Sequence, residues 1–201
     1  MKVRIAFAFL TTLFFALAPA QLQAAEETPE ALLKKTVDQV VDILHEGDAS
    51  SIEDKRARIL DLLQSRFSFD IIIRRALGRN WNEFNEEQQN RVTQLISDLL
   101  IRSYTRELKN GPKPNITFVG TDDLSDNKIE IKSTVTFRDN LVAVNYRLAN
   151  IRNRGWQVYD VLIEGVSMVS NYRKQFDEHF QTKSASDLLK LLQSKLDSFD
   201  T

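Results

Sequence analysis

Residues 128–165 read KIEIKSTVTFRDNLVAVNYRLANIRNRGWQVYDVLIEG. Ile129, Ile131, Val135 and Phe137 alternate with polar neighbours, and so do Val142, Val144, Tyr146 and Leu148. Asp139-Asn140 and Asn153-Arg154-Gly155 stand between the runs as turn signals. A two-residue period broken by such turns describes antiparallel strands with one face on a core. With Ile116 and Phe118 upstream, the stretch predicts a meander of four strands. Its last strand, Trp156–Ile163, is apolar on both faces and therefore needs cover on both sides.

Outward from this sheet the period lengthens to that of helices. Thr28-Pro29 is an N-cap followed by proline at the first helical position, and Leu33, Val37, Val40, Val41 and Leu44 share one face before Gly47. Ser51 to Asp54 reads as a capping box opening a second helix with Ile59, Leu62, Leu63 and Phe67 on its apolar side. Ser68 precedes a short helix carrying Phe69, Ile72, Ile73 and Leu77, with Gly78 as its stop. Asn85 and Gln88 start the longest helix, striped by Val92, Leu95, Ile96, Leu99, Tyr104 and Leu108. Gly111-Pro112-Lys113-Pro114 is the stiff crossover into the sheet. After Gly165 one helix carries Val169, Tyr172, Phe176 and Phe180, and a last one, capped by Ser184 and Asp187, carries Leu188, Leu189, Leu192 and Leu196. Helices, then strands, then helices make the fold class α+β: amino-terminal helices, a four-stranded antiparallel meander and carboxy-terminal helices.

The chain has 201 residues, 42% apolar and 27% charged, which suits a single folded domain rather than a disordered segment. It has no cysteine and two histidines, His45 and His179, far apart in sequence. Disulfide scaffolds, zinc fingers, iron–sulfur clusters and thiol nucleophiles are thereby excluded. Lys2 and Arg4 precede the apolar run Ile5–Leu17, which is followed by small residues at Ala18, Ala20, Ala24 and Ala25. The run is short of the roughly 20 residues that span a bilayer. Residues 1–24 are expected to be a signal peptide that is removed, with cleavage after Ala24 and Ala20 or Ala25 as alternatives, leaving 25–201 as one domain. The remaining chain has 25 basic against 28 acidic residues, a net −3 that offers no general pull on nucleic acid.

Catalytic patterns are incomplete. Gly165-Val166-Ser167-Met168-Val169 holds half of a nucleophile elbow, with valine where the tight turn wants glycine. Asp160 and Glu164 flank a strand end and form a candidate carboxylate pair, though such residues are more often capping or solvated groups. Arg74, Arg75 and Arg79 cluster on the short helix: a solvated face, or a contact for phosphate or an acidic partner. No phosphate-cradling loop or metal-ligand spacing is present.

The segment Gly155-Trp156 to Val169, with Tyr172-Arg173-Lys174-Gln175-Phe176 and Asp187-Leu188-Leu189, resembles the MlaC family, also called the toluene-tolerance auxiliary family. Phe67-Ser68-Phe69-Asp70, Leu77-Gly78 with Trp81, and Leu99 to Tyr104 resemble its amino-terminal blocks in order. The likeness runs from about residue 30 to 195. It implies a soluble periplasmic phospholipid carrier of a Gram-negative envelope, with acyl chains between helices and sheet and the headgroup outside. The implied partners are an outer-membrane lipoprotein–porin complex and an inner-membrane ABC transporter, and the implied role is outer-membrane asymmetry and solvent tolerance. No catalysis and no cofactor or metal are implied. By block, Val166 and Met168 are placed on the pocket wall and Tyr104 at its mouth; Val142, Val144, Tyr146, Trp81, Phe69 and Trp156 are further candidates for lining. A carrier of another lipid such as a hopanoid, an enzyme using Asp160 or Glu164, and a ligand-free interaction module stand as alternatives.

Overall fold

The computed structural model describes residues 27–47, 51–109, 111–138 and 140–199. The expected signal peptide and Asp139 of the turn lie outside the described residues. Helices α1 (Pro29–His45), α2 (Ile52–Gln64), α3 (Phe69–Leu77) and α4 (Glu86–Lys109) precede the sheet, with a 3-10 turn, Gly78–Glu83, between α3 and α4. Thr28 caps α1 by accepting from the Ala31 N–H at 3.2 Å, and Ser51 does the same for α2 from Asp54 at 3.1 Å. These caps satisfy amide groups that the first turn leaves unpaired.

The sheet has five strands, not four: β1 (Asn115–Ser125), β2 (Lys128–Phe137), β3 (Asn140–Ile151), β4 (Gly155–Ile163) and the two-residue β5 (Val166–Ser167), all antiparallel in sequence order. Glu164 (φ 49°) and Gly165 (φ 77°) form the β4–β5 turn, and two successive positive φ angles are what a two-residue hairpin loop requires. Beyond β5 come α5 (Met168–Phe180) and α6 (Ala185–Asp197). The last strand was too short for its period to be legible.

Along β4 the inward positions also change phase. The β3–β4 register slips between Arg147 and Leu148: Leu148 faces Val158, whereas Tyr146 faces Val161 and Val144 faces Ile163. The extra residue is a bulge, and it moves the inward set from even to odd numbers along β4. Val158, Val161 and Ile163 therefore share one face, and Gln157 and Leu162 on the other face are buried as well, so the strand is covered on both sides as its sequence requires. On the opposite face Glu130 accepts from Arg147 at 2.8 Å and from Asn145 at 3.0 Å. The edge of β4 is closed by residues 66–68, through Val158 N–H to Arg66 O (2.7 Å) and Ser68 N–H to Val158 O (3.0 Å).

Three apolar clusters hold these parts. Helices α3, α4, α5 and α6 enclose Ile73, Leu77, Phe84, Val92, Leu95, Phe176, Leu188 and Leu192. Leu33 of α1 packs on Ile129, Ile131, Leu148 and Val158 at one end of the sheet. Ile43 and Leu44 of α1 pack on Ile59 of α2 and Ile101 of α4. Helix α1 is thus pinned near both ends, like a lintel about 16 Å long between Leu33 and Leu44.

Candidate functional site: an apolar cavity between helices and sheet

Beneath the middle of that lintel the layers do not meet. The gap is a cavity of about 370 Å³, and about 1580 Å³ of atom-free space when its open mouth is counted. Its walls follow from the periodicities. Helix α1 contributes Val37, Val40, Val41 and Leu44; α4 contributes Ile96, Leu100 and Tyr104, each one turn apart. The sheet contributes Ile116, Val135, Val144, Tyr146, Val161 and Ile163, brought onto one face by register and bulge. Phe69, Ile72 and Ala76 of α3 and Met168, Tyr172 and Phe176 of α5 complete the wall. Phe67 and Phe69, stacked at 6.4 Å with an interplanar angle of 26°, separate it from a polar cleft of about 570 Å³. At that cleft Arg154 binds Asp70 through two 3.0 Å hydrogen bonds.

Few polar atoms reach the cavity, and most are committed to the protein itself. Thr105 donates to the Ile101 carbonyl at 2.7 Å. The Asp160 carboxylate accepts from the Ser167 hydroxyl at 2.6 Å and from the Val169 N–H at 3.1 Å, so it fastens the start of α5 to β4. The Tyr146 phenol is pushed up to about 12 by burial, a hydrogen bond with Ser133 acting in the opposite direction. Tyr104 is 45% exposed and marks the opening; burial of the rest of its ring raises its phenol above the usual value, and the neighbouring Tyr172 phenol adds to that. Among the described residues, no lysine or arginine lines the cavity.

Of the residues expected on the wall, Phe69, Tyr104, Val144, Tyr146 and Met168 line the cavity. The other four do not. Val166 lies opposite Ile163 on the edge strand, with nothing beyond to cover it, and is 58% exposed. Val142, opposite Val135, stands at the open end of the same face. Both belong to the rim. Trp81 packs against the helical core from the 3-10 turn. Trp156 packs on the closed end of the sheet, seven residues and about 23 Å along β4 from Ile163. Sequence reasoning missed most of the wall from α1 and α4, although it had identified those faces: a 3.6-residue stripe shows which side is inward and not whether anything fills the space opposite.

The catalytic candidates separate in space. Glu164 accepts from the Ala143 N–H on β3 while Asp160 serves α5, so the two carboxylates share no partner. Ser167 is the N-cap of α5, accepting from Ser170 N–H at 3.1 Å, and His179 lies twelve residues along the same helix, about 18 Å away, against the Ser184 carbonyl. The arginine cluster is exposed but engaged in part: Arg75 lies 4.8 Å over the Tyr159 ring and Arg79 is 4.0 Å from Asp177. No group of three or more metal-ligating side chains occurs among the described residues, and no described helix is long and apolar enough to cross a membrane.

An α+β protein with an open, hydrocarbon-lined cavity is the class that this geometry defines. Residues 34–194 match the family model described as MlaC protein, and the chain belongs to the MlaC family. A solved phospholipid-binding protein from Ralstonia solanacearum, in complex with a phospholipid, is similar: TM-score 0.75 at 25% identity, covering 86% of this chain and 99% of that one. No curated protein matches the chain.

Proposed function

We propose that this protein is a periplasmic phospholipid carrier that holds acyl chains in the cavity, leaves the headgroup at the mouth, and shuttles between an outer-membrane complex and an inner-membrane ABC transporter. The observation that carries the reading is the cavity itself: apolar, open at one end, and formed between layers that are individually well packed. Each acyl methylene exposed to water costs about 0.8 kcal/mol, so a chain of roughly 16 carbons faces more than about 10 kcal/mol on leaving a bilayer. An apolar slot removes that cost. A headgroup left outside keeps its hydration, which burial would forfeit. The phospholipid in the Ralstonia relative and the family membership support the same ligand class. The leader-like amino terminus supports export.

Organic extraction of the gently purified protein followed by mass spectrometry tests the reading. Stoichiometric phospholipid is expected, and its absence overturns the assignment; a hopanoid in its place changes the lipid class. Val144→Trp, which fills the space between sheet and α1, is expected to retain the fold by circular dichroism and lose the lipid.

A further inference from the structure

Two hydroxyl groups at the cavity stand apart from the rest of its polar atoms. Thr105 bonds its own helix, Asp160 is taken by Ser167 and Val169, and Tyr146 is buried away from the opening. Among the described residues, the phenols of Tyr104 on α4 and Tyr172 on α5 have no hydrogen-bond partner. Both side chains line the same cavity, where the Tyr172 phenol acts electrostatically on that of Tyr104. The Tyr172 ring is stacked on Phe176, centroids 6.3 Å apart at 26°, and Tyr104 is 45% exposed at the opening.

A phenol presents an apolar ring and one strong O–H donor, a combination suited to a boundary between hydrocarbon and water. In a glycerolipid that boundary is occupied by the ester carbonyls, which accept hydrogen bonds and donate none. We infer that Tyr104 and Tyr172 form an ester-recognition site at the cavity mouth, each phenol donating to a carbonyl of a diacylglycerol unit, so that the protein selects ester-linked over ether-linked glycerolipid. This rests on the carrier reading above and adds a polar determinant to it. A site built to hydrogen-bond a ligand group disfavours an analogue lacking that group, because its own donors are left unpaired. Tail packing alone gives no such discrimination between an ester and an ether of equal length.

The test is competition. The full mature protein is equilibrated with vesicles holding equal amounts of dihexadecanoyl and dihexadecyl glycerophosphoethanolamine, and the lipids it retains are counted by mass spectrometry. Wild type is expected to favour the diester by about 5- to 30-fold, the range that one or two neutral hydrogen bonds supply. Tyr104→Phe/Tyr172→Phe is expected to bring the ratio close to one by weakening retention of the diester and not of the diether, and to shift the carbonyl stretch of the diester still bound toward its non-hydrogen-bonded frequency. A wild-type ratio near one, a ratio unaltered in the double variant, or equal loss of both lipids from it overturns the inference; the last outcome would mean that the phenols hold the phosphate common to both lipids, or hold the wall. Wild type that retains neither lipid overturns the carrier reading and this site with it.

Discussion

The helical layer formed by α3 to α6 and the space between α1, α2, α4 and the sheet are lined by the same residue types, yet one is filled and the other hollow. In the helical layer Leu77, Val92, Leu95 and Leu188 are each no more than 2% exposed. The links there are short: the 3-10 turn Gly78–Glu83 between α3 and α4, and residues 181–184 between α5 and α6. Short links bring helices side by side, and their side chains interdigitate at crystal-like density. Helix α1 is held differently. Leu33 is anchored on the sheet and Leu44 on α2 and α4, with Val37, Val40 and Val41 spanning the gap between these supports. A void survives where the backbones are fixed at their ends and cannot collapse onto each other. Residue type has little to do with it.

That contrast is open to direct attack. Leu77→Ala strikes the filled region and is expected to cost about 2–5 kcal/mol of unfolding free energy in urea titration, because its neighbours cannot close the hole. A loss below about 1 kcal/mol would show that the helical layer is looser than its burial implies. Asp160→Ala strikes the seam, leaving the Ser167 hydroxyl and the buried Val169 N–H without their acceptor; about 1–3 kcal/mol is expected, with lipid retention preserved. Complete loss of lipid from a natively folded Asp160→Ala protein would return that carboxylate to a direct role in the cavity.

Acid probes a second seam, between α3 and the β3–β4 turn. The hydrogen bonds from Arg154 hold the Asp70 carboxyl below its usual range. A depressed folded-state pKa contributes stability fully above the unfolded value, about 3.9, and loses it as pH falls through the folded value. The pair is largely solvent-exposed, so less than about 1 kcal/mol is expected. Asp70→Asn should flatten that part of the stability profile between about pH 5 and 2. An unchanged profile would remove the pair from the forces joining the layers. The smallest effect belongs to the hollow. Val144→Ala trims a side chain that already faces empty space, and about 0.5 kcal/mol or less is expected. A cost approaching that of Leu77→Ala would mean that the cavity is packed in solution.

Much of the architecture was legible beforehand. The caps at Thr28, Ser51 and Ser184 are where the sequence placed them, and Ser184 with Asp187 forms the expected capping box. Phe69, Tyr104, Val144, Tyr146 and Met168 reached the cavity wall through family blocks and inward strand positions. Trp81 and Trp156 did not, because a large aromatic side chain satisfies a solid core as well as a cavity. Val166 did not, because a two-residue edge strand has no outer neighbour to bury it.

Local chemistry in the chain was enough to settle the α+β order, the inward faces of helices and strands, the turns, and the absence of any complete catalytic motif. These depend on backbone period and on groups a few residues apart, which every sequence carries openly. The bulge that rephases β4, the capture of Asp160 by α5 and the emptiness beneath α1 were decided in three dimensions. Each depends on the distance between elements remote in sequence, and a list of apolar side chains carries no record of how far apart their backbones are held.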